Sequence, residues 1–352
     1  MEETISLFSN KNKNILKYKM IKQVDVCCGL SWGDEAKGKI VAQLAKSKKY
    51  DFVCRWGGGN NAGHTVYVNK KQYKTHIVPC GIFFSVNCII GPDCVVNQKG
   101  FEDELKYLKK NGFDTDLIKI SPDAHVVTEE HIQADIKNYK GTTARGIAPC
   151  YGDKYARKGL KVKEVEYFRK YLWNGELYGN VLCEGAQGFW LDINHGNYPY
   201  NTSSITLPYG ACSLGFPPQY IKTVFGACKI YDTRSGIDPE FPETLIEDPE
   251  LALIVKEGQE IGTTTGRKRK VNWLNVDKLI FAINVSGTTD LVISKIDVLS
   301  KINKFKIICK CEIIVFESLN ELQRYIINYV QTNCKLVKNI IFSNDKETVE
   351  GL

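Results

Sequence analysis

Gly29-Leu-Ser-Trp-Gly33-Asp-Glu-Ala-Lys-Gly38-Lys39-Ile40 is the stretch on which the fold class turns. The apolar run Val24–Cys28 precedes it and a helical pattern, Lys37–Lys46, leads away from it. Gly33 to Lys39 fits the spacing G-x-x-x-x-G-K between a strand and a helix, as a phosphate loop requires. Backbone N–H groups there, with the helix N-terminus, hold phosphate oxygens. Ile40 occupies the position where Ser or Thr would normally bind Mg2+, and it cannot coordinate a metal. Two carboxylates, Asp34 and Glu35, stand inside the loop, where phosphate binding alone would disfavour negative charge. Asp34 therefore reads as a metal ligand, a proton acceptor, or both.

A second glycine cluster follows another strand-like run: Arg55-Trp-Gly57-Gly58-Gly59-Asn60-Asn61-Ala62-Gly63-His64-Thr65. Consecutive glycines let backbone approach a ligand closely, while Asn61 and His64 supply directed polar groups. Further apolar runs are Phe52–Cys54, Cys88–Ile90, Leu117–Ile120, Val181–Cys183, Thr223–Phe225 and Leu291–Ile293. They are apolar without alternation, the pattern of strands buried on both faces. Helical patterns lie between them at Phe101–Lys110, Glu129–Lys137 and Val276–Val285. The expectation is an α/β, P-loop-like fold: a mostly parallel central sheet, helices on both faces, and small excursions. The tail reads as strand Lys304–Cys309, strand Glu312–Phe316, helix Leu319–Val330 and strand Asn339–Phe342, in the same domain or as a small appendage.

Over 352 residues, 43% hydrophobic and 25% charged composition excludes a disordered chain, a collagen and a coiled coil. No apolar stretch approaches the ~18–20 residues that span a bilayer. Net charge +7 comes largely from scattered lysines, so it implicates neither nucleic acid nor membrane. Thirteen cysteines, an odd count without regular spacing, make no disulfide framework and suggest a reduced, cytoplasmic setting. Residues 1–19 are polar and lysine-rich and lack a signal peptide's apolar core; they read as a disordered extension to a single domain, 20–352.

Further motifs give the resemblance. Gly141-Thr-Thr-Ala-Arg-Gly-Ile-Ala-Pro-Cys-Tyr-Gly-Asp153-Lys154-Tyr-Ala-Arg157 is followed by Cys183-Glu-Gly-Ala-Gln187-Gly and Leu191-Asp-Ile-Asn-His-Gly-Asn-Tyr-Pro-Tyr-Asn-Thr202. Lys229-Ile-Tyr-Asp-Thr-Arg234-Ser-Gly and Gly262-Thr-Thr-Thr-Gly-Arg267-Lys-Arg269-Lys complete a series of six with the two loops above, the Cys183 and Leu191 stretches forming one signature, over roughly residues 22–300. Together these segments resemble the adenylosuccinate synthetases. The resemblance implies a homodimer that couples IMP to L-aspartate at the expense of GTP, with Mg2+, through 6-phosphoryl-IMP. It implies Asp34 as base at N1 of IMP, His64 and Gln187 as further catalytic residues, and Asp34 and Gly63 as metal ligands. By the same resemblance GTP is held by Gly33, Glu35, Lys37, Gly38, Lys39, Gly63, Thr65, Lys295, Asp297 and Ser343. IMP is held by Asn61, Thr143, Gln187, Thr202, Arg267 and an Arg157 reaching across the dimer interface, with Arg234 lining the pocket. Aspartate falls to Thr265, Arg267 and Arg269, whose planar guanidinium forks match carboxylates.

Ser294-Lys295-Ile296-Asp297 follows an apolar strand and fits the guanine-reading pattern, since a carboxylate accepts from guanine N1–H and the 2-amino group. Ser343 lies in Phe342-Ser343-Asn-Asp-Lys-Glu-Thr, which is similar to the loop that finishes the guanine pocket. Ala36 and Ala148 stand at family glycine positions, Ser31 at a glutamine and Asn60 at a histidine. The compact length is also that of phage synthetases joining dGMP and aspartate with ATP or dATP, which makes this an alternative. Asp34 speaks against it, because those enzymes are expected to carry serine there. A nucleotide-binding regulatory protein without catalysis is the alternative of another class.

Overall fold

The computed structural model describes residues 20–47, 49–241, 248–262, 266 and 268–352. The expected N-terminal extension, 1–19, and the candidate ligands Thr265 and Arg267 lie outside the described residues. Eight strands form the central sheet in the order Asn339–Ser343, Asp290–Ser294, Ile221–Lys229, Ile21–Gly29, Gly179–Glu184, Phe52–Arg55, Asn87–Ile90 and Ile118–Ile120. Every pairing in it is parallel. The strand that feeds the phosphate loop is therefore central, flanked by strands that come much later in the chain.

Its apolar runs lack alternation because both faces are covered. Val24, Val26 and Cys28 join one core with Val181, Cys183, Leu291 and Ile293, under the helices Val276–Ser286 and Leu319–Asn333. Cys27, Val53, Leu182 and Val292 face the opposite core, beneath Lys37–Lys46 and Gln98–Lys110. Successive side chains point to opposite faces of a strand, so each run supplies two cores at once. All thirteen cysteines are free, and most are buried.

The tail is divided. Asn339–Ser343 is an edge strand of the central sheet, paired with Asp290–Ser294. The hairpin Lys306–Cys309 and Glu312–Val315 instead extends a four-stranded sheet built on Tyr231–Arg234 and Lys270–Asn275. A further antiparallel hairpin, His64–Val68 with Lys71–Thr75, and the helices Ile147–Tyr155, Pro249–Gly258 and Ile296–Ile302 complete the elements that position the site.

Candidate functional site

The phosphate loop leaves the C-terminal end of a central parallel strand, the end at which open α/β sheets bind ligands. Gly33, Asp34 and Ala36 adopt φ of 90°, 61° and 67°. For the two non-glycine residues this left-handed backbone costs roughly 1–2 kcal/mol each. Ala36 caps the helix Lys37–Lys46 without a side-chain hydrogen bond, so no side chain covers the first-turn N–H groups. Glu35 turns inward: its Oε1 accepts from the amides of Ser31 and Gly33, both at 2.9 Å, and its Oε2 pairs with Lys37. Its carboxylate thus shapes the loop. A Cβ on Gly38 would sit 2.8 Å from the His64 Cβ, so glycine there permits the two segments to touch.

A cleft of about 440 Å3 opens above this loop. Gly33, Asp34, Glu35, Lys37, Gly38, Lys39, Asn61, Gly63, His64, Thr65, Thr143, Gln187, Thr202, Arg234, Arg269, Lys295 and Asp297 all line it. Of the described candidates, two stand off its wall. Ser343 acts at one remove, its Oγ accepting from Lys39 Nζ at 2.7 Å. Arg157 is exposed, with φ 61°, and does not line the cleft of its own chain.

His64 begins the hairpin and is 7% exposed. Its Nδ1 is hydrogen-bonded to Glu184, a wholly buried carboxylate whose Oε2 accepts from the Cys80 amide at 2.6 Å. Burial pushes the His64 pKa down, against the opposing pull of Glu184. Burial opposes ionisation of Glu184 too, but His64, Arg55 and the Cys80 amide hold its carboxyl below the usual range. The carboxylate fixes the ring's orientation and offsets any proton the ring takes up. Gln187, with φ 54°, keeps Nε2 buried and unpartnered while Oε1 accepts from Ser204 at 3.4 Å. Such an orphaned donor lining a cleft calls for a ligand acceptor.

Lys39 donates also to the Asp345 carbonyl at 2.8 Å. Burial, reinforced by Lys295 and opposed by Asp345 and Asp297, pulls its pKa down to about 8. On the other side Arg269 spans two acids, with Nε on Asp34 Oδ2 at 2.8 Å and Nη1 on Glu260 Oε2 at 2.5 Å. Glu260 accepts in addition from Lys229 at 2.8 Å and Tyr231 at 2.6 Å. Burial would raise its pKa, yet Lys229 and Arg269 together bring it to about 2.

Sequence reasoning passed over Glu184, Glu260 and Asp345 as members of this site. The signal for Glu184 was present: a carboxylate closing an apolar strand, three residues before Gln187. Glu260 carries no such mark, because its partners Lys229, Tyr231 and Arg269 come from other elements.

The family model described as adenylosuccinate synthetase matches residues 26–174 and 168–326. The adenylosuccinate synthetase of Heliobacterium modesticaldum is 37% identical, over 80% of this chain and 79% of its own. That of a Thermoanaerobacter species is 38% identical over the same shares. Among solved structures, the fully ligated adenylosuccinate synthetase of Plasmodium falciparum superposes with a TM-score of 0.80 at 25% identity, covering 91% of this chain and 96% of that one. The succinoaminodeoxyadenylate synthetase of cyanophage S-2L, bound to dGMP and dATP, shares the fold with a TM-score of 0.71 at 18% identity, over 93% and 94% of the two chains. A carboxylate-bearing phosphate loop, a buried His–Glu pair and an arginine facing one cleft are thus the local form of a likeness that runs through most of the chain, which belongs to the adenylosuccinate synthetase family.

Proposed function

We propose that this chain joins IMP and L-aspartate to adenylosuccinate, converting GTP to GDP and phosphate. The observation that carries the reading is the convergence of Asp34, His64, Lys39 and Arg269 on one cleft. An amide-type oxygen is a poor leaving group, and phosphorylation makes it a good one. In the first step the Asp34 carboxylate takes the N1 proton of IMP while O6 attacks the γ-phosphorus. The new O6–P bond forms as the bond to GDP breaks. In the second step the aspartate amine attacks C6, the C6–O bond breaks, and phosphate departs, taking up the proton that the amine gives up. A positioned base contributes about 10²–10⁴-fold.

Loop amides, Lys39 and His64 stabilise the charge on the transferring phosphoryl group, with Glu184 behind the imidazole. Gln187 offers its free Nε2–H to the purine, and Asn61, Thr143, Thr202 and Arg234 line the same wall. Lys295 and Asp297 mark the guanine end, Asp297 lying in the first turn of Ile296–Ile302. Arg269, with Thr265 and Arg267, holds the aspartate carboxylates. Arg157, exposed on its own chain, serves the cleft of a second copy in a homodimer.

Hard oxygen donors suit Mg2+, and the cleft offers Asp34 and Gly63 but no hydroxyl at Ile40. Asp34 and the Gly63 carbonyl would hold the ion, which supplies charge neutralisation on the phosphates. The proposed setting is cytoplasmic; among the described residues no helix is long and apolar enough to cross a membrane. The test is incubation of purified protein with aspartate, Mg2+, and IMP or dGMP, each with GTP or ATP. Adenylosuccinate detected by mass spectrometry only with IMP and GTP supports the reading. Product from dGMP and ATP instead would replace it with the phage-type reaction.

A further inference from the structure

Arg269, with a mostly buried side chain, and Lys229, buried, are two cations that line the cleft. They meet at Glu260, which is 0% exposed and lies at the stem of the loop that carries the candidate aspartate ligands. Its Oε2 accepts from Arg269 Nη1 at 2.5 Å and Lys229 Nζ at 2.8 Å, and its Oε1 accepts from Tyr231 OH at 2.6 Å. The stem is also closed through backbone, since the Arg269 amide donates to the Glu260 carbonyl at 3.0 Å and Ile261 bridges Lys268. We propose that Glu260 is the positioning residue of the amino-acid subsite, fixing the Arg269 guanidinium and the Lys229 ammonium where a dicarboxylic amino acid binds. The inference rests on the reading of Arg269 as a ligand of that substrate.

The physical argument is one of competition. Arg269 Nε is already on Asp34 at 2.8 Å. Without a second anion, the guanidinium has one strong acceptor and swings wholly onto Asp34, closing the subsite. Glu260 provides the opposing pull, so the fork stands between two carboxylates with its remaining edge available. Lys229, also buried, would lose its one ion-pair partner among the described residues, leaving an ammonium whose burial already lowers its pKa. A buried carboxylate with three donors keeps one geometry, and preorganised cations bind an anion without reorganising first.

Three variants test this by steady-state kinetics, each substrate varied in turn. Glu260→Gln should raise the aspartate KM about tenfold to hundredfold, the range for losing a charge-assisted contact, with the KM values for IMP and GTP within about threefold of wild type. In the Arg269→Leu background, Glu260→Gln should raise the aspartate KM by less than it does in wild type, because part of its effect passes through the arginine and only the part carried by Lys229 remains. Fully multiplicative effects would mean that Glu260 supports the fold alone, and would overturn the proposal. Tyr231→Phe keeps the volume and removes one donor, so it serves if Glu260→Gln does not fold; a several-fold rise confined to aspartate is expected, and unchanged constants overturn the inference. Wild-type protein that forms no adenylosuccinate refutes the activity and the inference together. Active wild type, an impaired Arg269→Leu and an unaltered Glu260→Gln refute the inference alone.

Discussion

On the proposed reading, in which Lys39 meets the GTP phosphates, this lysine should take up a proton when GTP binds. Burial holds its pKa at about 8, and its present partners are a hydroxyl and a carbonyl, neither charged. A phosphate charge about 4 Å away is worth roughly 4 kcal/mol at an effective dielectric of 20, or about three pKa units. The bound lysine is then protonated throughout the neutral and mildly alkaline range. At pH 8 about half of the free protein carries the proton, so binding takes up about half a proton; at pH 6.5 the uptake falls to about 0.03, and at pH 9 it reaches about 0.9. The sign follows from the direction of the shift. The charged form binds, so affinity is fully present below the free pKa and falls as pH rises through it, by about tenfold at pH 9. Calorimetry of GTP binding in two buffers of different ionisation enthalpy measures the uptake. The Lys39→Arg variant, charged at every pH used, removes the contribution of the lysine and leaves those of GTP and other groups. Equal uptake in wild type and variant at pH 8 would show that burial does not discharge Lys39.

Asp34→Asn should abolish turnover with little change in melting temperature, since the side chain is 28% exposed and lines the cleft; activity within a few-fold of wild type would sink its role as base. Glu184→Gln removes the carboxylate that raises the His64 pKa, so the imidazole should titrate still lower by NMR, and kcat should drop about tenfold to hundredfold with GTP affinity within a few-fold. A His64 midpoint that is unchanged or higher would contradict the pairing. Arg269→Leu should raise the aspartate KM about tenfold to hundredfold and that of GTP far less, losing roughly 1.5–3 kcal/mol of charge-assisted contact; an unchanged aspartate KM means that the loop does not hold the amino acid.

The strands were legible because burial on two faces leaves a plain mark: Val24–Cys28, Val181–Cys183 and Leu291–Ile293 all lie within observed strands. The helices Lys37–Lys46 and Glu129–Lys137 have the bounds that the helical pattern gave them. Less visible was the allotment of the tail, since pairing of Asn339–Ser343 with Asp290–Ser294 is a long-range event that no local signal encodes. Within the site, glycines and charged residues in a loop announce themselves, as Asp34 and His64 do. Glu184 and Glu260 do not, because their meaning lies in what they touch: a ring from a hairpin 120 positions away, and cations from two other strands or their ends.

The strand order also has a consequence for synthesis. Among the described strands of the sheet Ile21–Gly29 is made earliest, yet its neighbours on either side are Gly179–Glu184 and Ile221–Lys229. A nascent chain ending before these carries an apolar strand with both edges open, the kind of segment that pairs with whatever it meets. Translation at ~5–20 residues per second leaves it so for many seconds. Lys39 waits longer still, for partners 304 and 306 positions downstream. The phosphate loop is thus made long before the residues that hold its lysine, so a half-made chain displays the loop with Lys39 unanchored.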